Sequence, residues 1–182
     1  MRNAGAPAPR LFAFGLGYSA MRLAEQLLEA GGWRVAGTVR DPARAEALRA
    51  RGVEAFVFSD AVEPDWGEAL AGSTHILASA PPDDGGDPAL RAAKIAMAHS
   101  VVSIQACVYL STTGIYGDRS GAWVDESYEP RPTRQRSRRR VLAEAQWRAF
   151  GGRIGRPVAV LRLAGIYGPG RSPFQALRDG TA

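Results

Sequence analysis

The apolar run Arg10–Phe14 (RLFAF) stops at Gly15-Leu16-Gly17-Tyr18-Ser19-Ala20. Met21, Leu23, Ala24, Leu27 and Leu28 then recur at helical spacing as far as Gly31-Gly32. Strand, glycine turn and helix in immediate succession constrain the chain more than any other feature. The alternation then continues. Residues 33–39, 53–58, 74–80, Ala106–Thr112 and Val158–Leu163 read as strands, with helices over Pro42–Arg49, Trp66–Leu70, Pro88–His99 and about 138–150. Gly151-Gly152 is expected to stop the last of these helices, and residues 113–134, rich in glycine and proline, read as an extended loop. Strands separated by helices must cross over to parallel neighbours and bury both faces of their sheet. The expected fold is α/β: a doubly wound, mostly parallel Rossmann-type sheet with helices on both faces. At 182 residues the chain suits one core and is short for two domains. Residues 1–9 are expected to be a flexible arm and residues 10–182 one nucleotide-binding domain.

The glycine turn carries chemistry in that context. Gly15 permits the tight turn, Gly17 lets a pyrophosphate approach the backbone, and Ala20 lets the helix pack close to the sheet. Tyr18 and Ser19 open the helix, whose free amides and dipole favour phosphate. A dinucleotide is therefore expected here. At the end of the second strand, Thr38-Val39-Arg40-Asp41 puts Arg40 where a 2′-phosphate partner is useful, with Arg44 one turn into the next helix. This favours NADP, with NAD the alternative. Asp41 serves either the ribose or the helix as a cap. Asp60, after the third strand, is a candidate for the adenine side, although turns commonly contain aspartate. Ser79 and Ala80, at the end of the fourth strand, are small enough to pass beside the nicotinamide half.

The net charge of +5 is misleading, because Arg131, Arg134, Arg136, Arg138, Arg139 and Arg140 lie in a segment without acids and the remainder sums to −1. The chain is neutral with one basic segment. That segment lacks interleaved stacking aromatics and any recognised reading module, so no specific nucleic-acid partner is expected. No apolar run reaches membrane-spanning length. The single cysteine, Cys107, excludes a multi-cysteine metal site and suits the cytoplasm; no metal site is expected.

Three stretches together resemble the extended short-chain dehydrogenase/reductase family of the NAD(P)-dependent epimerase/dehydratase type. They are the glycine turn, Leu110-Ser-Thr-Thr-Gly-Ile-Tyr-Gly-Asp118 and Leu161-Arg-Leu-Ala-Gly-Ile-Tyr-Gly-Pro-Gly-Arg171. More narrowly, the chain looks like the bacterial subgroup whose glycine motif reads G-x-G-Y-S-A. The resemblance implies that Thr112, four residues before Tyr116, polarises a substrate carbonyl or hydroxyl, with Ser111 and Thr113 beside it. It also implies a tyrosine and a lysine, four residues apart, that move a proton and hold the nicotinamide ribose. Aligned on Glu144, those positions fall on Arg136 and Arg140, and Lys94 is the only lysine in the chain. Arginine stays charged and is a poor proton relay, although Arg140 retains donors for the ribose. Tyr116 is the candidate replacement, with Arg136 or Arg140 as the cation it needs. Tyr167, Gly168, Pro169 and Arg171 are implied on the nicotinamide and substrate side. The resemblance further implies a smaller carboxyl-terminal substrate region, expected to be largely absent here.

Two functional readings follow. One is an NADP-dependent oxidoreductase or epimerase-like enzyme acting on a small molecule, a sugar nucleotide or another carbonyl or hydroxyl compound. The other is a dinucleotide-binding protein without dehydrogenase activity. Both leave homo-oligomer formation open and require no membrane.

Overall fold

A computed structural model of the chain describes residues 7–100 and 103–180. Its six strands are β1 (Arg10–Phe14), β2 (Arg34–Val39), β3 (Glu54–Val57), β4 (His75–Ala78), β5 (Ala106–Thr112) and β6 (Val158–Leu163). They form one sheet in the order β3-β2-β1-β4-β5-β6, and every pairing is parallel. The helices are α1 (Tyr18–Ala30), α2 (Pro42–Arg49), α3 (Trp66–Leu70), α4 (Pro88–His99), α5 (Gln135–Arg153) and α6 (Pro173–Arg178), with a 3-10 turn over Thr113–Tyr116.

The doubly wound arrangement is visible in β1, where all five residues are buried. Phe12 and Phe14 face one core with Trp66, Leu90, Met97, Tyr109 and Trp147, while Leu11 and Ala13 face a second with Ala20, Ala24, Ala45 and Leu48. A strand covered on both sides needs apolar residues throughout rather than alternation. Cys107 belongs to the first core, and burial pushes its thiol up to about 12.

Helices α2, α3 and α4 start on the same chemistry. Asp41 accepts from the Ala43 amide at 2.9 Å, Asp65 from Gly67 at 2.8 Å and Asp87 from Leu90 at 3.1 Å, with Pro42 and Pro88 in the first turns of α2 and α4. These carboxylates satisfy amides that have no partner within the helix. Helices α1 and α5 have neither a side-chain cap nor an acid in the first turn.

Helix α5 departs from expectation at both ends, starting at Gln135 and running through Gly151 and Gly152 to Arg153. Arginine is a good helix former even where no apolar periodicity marks it. Gly151 is buried, and a Cβ there would come within 2.6 Å of the Arg156 carbonyl oxygen. It is a close-packing residue rather than a stop. The loop expected over residues 113–134 begins with the 3-10 turn, which Thr112 caps by accepting from the Gly114 amide at 3.1 Å.

At the amino-terminal rim, Arg10 is 1% exposed. It donates to the carbonyls of Ala69 (2.9 Å) and Ala71 (3.1 Å), to Ser73 Oγ (2.7 Å) and to Glu54 (2.7 Å). Burial works to raise the Glu54 carboxyl, but Arg10 and Arg34 prevail and hold it below the usual range. Of the expected arm, residues 1–6 lie outside the described residues; residues 7–9 are without regular structure, and the Pro9 carbonyl accepts from Arg34 N–H. Among the described residues no helix is long and apolar enough to cross a membrane.

Candidate functional site

The strand order reverses at β1, with β2 on one side and β4 on the other. In open parallel sheets the crevice at such a point, beyond the carboxyl ends of the strands, takes the ligand. The glycine turn stands there and is braced from three directions. Thr38 of β2 accepts from the Gly15 amide (2.8 Å), and its carbonyl accepts from the Leu16 amide (2.8 Å). Beyond β4, the amides of Ser79 and Ala80 donate to the Phe14 carbonyl, and Ser79 Oγ donates to the Gly15 carbonyl at 2.5 Å. From α2, Arg44 donates to the Leu16 carbonyl at 2.7 Å.

Gly15 adopts φ +88°, and a Cβ on it would lie 3.0 Å from the Ala80 amide nitrogen. Conformation and packing both require glycine there. Gly17 differs: its φ is −81°, and an added Cβ would meet no atom within 4 Å. Nothing inside the chain calls for glycine at that position. The open space borders the uncapped amino terminus of α1, an arrangement that fits a dinucleotide pyrophosphate. Ala20 is fully buried in the core beneath, while Ser19 is half-buried.

At the adenosine end, Asp41 caps α2 through one carboxylate oxygen. Arg40 and Asp60 are exposed, and neither side chain has a hydrogen-bond partner among the described residues. Ser79 and Ala80, expected beside the nicotinamide, brace the turn as well.

The β5 side contains a buried polar network. Glu144 of α5 is 1% exposed. It accepts from Ser111 Oγ (2.5 Å), from Arg162 through Nε (3.3 Å) and Nη2 (3.0 Å), and from Arg148 (2.9 Å). Burial works to raise its carboxyl, and hydrogen bonds from Arg162 and Ser111 with the Arg162 charge bring it below the usual range. Arg162 also donates to the Tyr116 hydroxyl at 2.8 Å and to the Glu126 carbonyl at 3.2 Å, and its guanidinium lies 5.1 Å from the Tyr116 ring centre. The cation at Tyr116 is thus Arg162, in place of the expected Arg136 or Arg140. Tyr116 is itself buried.

Arg140 points instead to β5, donating to the Leu110 carbonyl (2.7 Å) and the Tyr109 hydroxyl (3.2 Å). Burial pushes the Tyr109 phenol up to about 12 in spite of that cation. Arg136, one turn earlier, is exposed and without a side-chain partner among the described residues. Thr112 Oγ accepts from Gly114, which leaves its own proton available to a ligand. The loop after β4 is fastened to α5: Asp84 accepts from Gln135 and Arg139, the Gly85 carbonyl from Gln146, and Asp87 from the Trp147 indole. Tyr167 is 78% exposed, and Tyr18 donates to the Pro169 carbonyl.

Arg162 and Thr38 are the site residues that sequence reasoning missed. The signal for Arg162 was present: a lone arginine within Val-Ala-Val-Leu-Arg-Leu must find a buried partner.

Comparison with known proteins agrees with this geometry. The chain is 31% identical over 182 residues to Protein YeeZ of Escherichia coli K12, covering 92% of this chain and 62% of that protein. It is 46% identical, with a TM-score of 0.80, to the solved structure of a functionally unknown conserved protein from Silicibacter pomeroyi, covering 93% of this chain and 57% of the other. UDP-glucuronic acid 4-epimerase from Bacillus cereus, solved with NAD, shares the fold at a TM-score of 0.71 and 21% identity over 92% of this chain and 60% of the epimerase. The chain thus spans less than two thirds of the length of these relatives. A model of NAD(P)H-binding proteins matches residues 15–147, which take in the glycine turn, Thr112 and most of α5, and the chain belongs to that NAD(P)H-binding family.

Proposed function

We propose that this chain holds NADP across the crevice between β1 and β4. The carrying observation is Gly17, which faces open space above an α1 terminus that no side chain caps. The main-chain amides of Tyr18, Ser19 and Ala20 would take the pyrophosphate. Arg40 and Arg44 would flank the 2′-phosphate. With one oxygen of Asp41 engaged by α2, the end of β2 offers Arg40 and Arg44 to a 2′-phosphate, which favours NADP. Asp60 would face the adenine side.

When bound, the nicotinamide supplies hydride transfer. The Thr112 hydroxyl would orient a carbonyl or hydroxyl group of the substrate, and Tyr116, whose hydroxyl accepts from Arg162, would handle the proton. Arg140 would reach the ribose only by releasing β5. The similar epimerase is named for a sugar nucleotide, and we propose a substrate of that class. A second reading, dinucleotide binding without hydride transfer, is favoured by the burial of Tyr116 and by arginine at both positions of the usual proton relay.

Titration of the purified chain with NADPH and NADH, followed by nicotinamide fluorescence, tests the proposal. Arg40→Ala is expected to weaken NADPH about tenfold or more, the scale of a charge-assisted phosphate contact, and to leave NADH unchanged. Binding of neither cofactor by the wild type overturns the reading. Equal losses for both cofactors in Arg40→Ala overturn the phosphate assignment. Binding without hydride transfer to UDP-glucuronic acid, UDP-glucose and simple carbonyls selects the second reading.

A further inference from the structure

The turn after β6 reaches a part of the molecule that strand order sets far from it. β4 and β5 separate β6 from β1, so at about 4.8 Å per step the ends of β6 and β1 stand roughly 14 Å apart. The chain nevertheless returns to the first residue of α1. Tyr18 donates to the Pro169 carbonyl at 3.1 Å, and the Arg171 guanidinium carbon lies 5.5 Å from its ring centre. Gly168 packs so close to the phenolic oxygen that an added Cβ would collide with it. The turn is internally closed, since Gly168 and Arg171 exchange both backbone hydrogen bonds, at 2.8 and 2.9 Å. Its path from β6 must pass the carboxyl ends of β5 and β4, where the crevice opens.

The position of Arg171 is not explained by the fold alone. Its side chain is exposed, and among the described residues it makes no ion pair or hydrogen bond. The face of the Tyr18 ring alone holds the guanidinium, by attraction of a cation to the aromatic face. Tyr18 directly follows Gly17 and opens α1, so its ring ties this cation to the first residue of that helix. The first turn of α1 contains no acid that could pair with it. An anion held by the free amides of α1 would offer the guanidinium a partner, and Gly17 borders open space beside those amides.

We propose that Arg171 is a ligand of the cofactor pyrophosphate, carried there by a clasp of residues 168–171 that Tyr18 latches across the crevice. This rests on the dinucleotide reading above. It places Arg171 on the phosphate side, whereas the family resemblance implied the nicotinamide and substrate side. The pyrophosphate is common to NAD and NADP, so the clasp serves either cofactor.

The test is calorimetric titration with ADP-ribose, which carries the pyrophosphate, and with 2′-AMP, which lacks it. Arg171→Ala is expected to weaken ADP-ribose about tenfold or more and 2′-AMP less than about twofold. Arg171→Lys recovers part of the loss, and Tyr18→Ala reproduces it. Tyr18→Phe keeps the ring and costs about threefold or less. Unchanged ADP-ribose affinity in Arg171→Ala overturns the clasp and leaves dinucleotide binding standing. Equal losses for both ligands also overturn it, because the defect is then not specific to the pyrophosphate. If wild-type protein binds no ADP-ribose, the dinucleotide reading itself fails.

Discussion

Replacing Arg162 by methionine tests how far Glu144 depends on it. Glu144 is 1% exposed, and two of the four hydrogen bonds it accepts come from Arg162. Methionine keeps much of the apolar stem and removes the charge. Arg148 remains, but its side chain is 49% exposed, so water screens it and it replaces little of the loss. Stripping one partner from a buried pair costs about 3–5 kcal/mol. A domain is stable by about 5–15 kcal/mol. For a chain of this size each kcal/mol moves Tm by about 2–4 °C, so a fall of roughly 6–20 °C is expected.

The double variant Arg162→Met/Glu144→Met leaves no buried uncompensated charge, since Arg148 is half in solvent, and apolar replacement of a buried pair is often close to neutral. Ser111 and Tyr116 still lose their partners, at about 0.5–1.5 kcal/mol each. The double variant should therefore be more stable than Arg162→Met alone and remain about 1–3 kcal/mol below wild type. Urea unfolding of wild type, Arg162→Met, Glu144→Met and the double variant gives the coupling energy. Single losses that simply add in the double variant would falsify the claim that the two side chains form one unit.

The same carboxylate fixes a pH dependence. Glu144 is held below the ordinary glutamate value of about 4.3 in the folded chain. Its stabilisation is complete above that value and is lost as pH falls through the folded value, so Glu144→Gln should flatten the decline in unfolding free energy measured below about pH 5. The two turn glycines should separate stability from binding. Gly15→Ala, strained by its φ of +88° and by Ala80, should lower thermal stability by about 1–3 kcal/mol. Gly17→Ala should leave the melting temperature within about 2 °C of wild type and weaken NADPH in a fluorescence titration, since only the ligand meets the new methyl group.

Much of the fold was legible because it rests on local rules. Met21, Leu23, Ala24, Leu27 and Leu28 mark α1, and Asp41-Pro42 and Asp87-Pro88 mark helix starts at the residues where they occur. The limits of α5 were not, because arginines forming a first turn carry no apolar pattern, and Gly151 reads as a stop until Arg156 and Val158 are seen packed against it. The glycine turn was legible as a turn. Its bracing by Thr38, Ser79 and Arg44 joins residues 23 to 64 positions apart, and nothing local announces it. The cation of Tyr116 is the sharpest case: sequence proximity and family register both pointed to α5, while the sheet brings Arg162 from β6.

The two rims of the sheet use arginine in opposite ways, with consequences for how the chain tolerates mutation. At the amino-terminal rim Arg10 finds an acceptor for every nitrogen and is sealed from water. At the carboxyl-terminal rim Arg40, Arg136 and Arg171 stand in solvent with no anionic partner among the described residues. Selection for protein abundance alone would therefore guard Arg10 and let the other three drift. Selection for ligand binding would guard Arg40 and Arg171 as well. Sorting a library of single substitutions by expression, and then by retention on an immobilised adenine dinucleotide, would draw the border between scaffold and site without knowledge of the reaction.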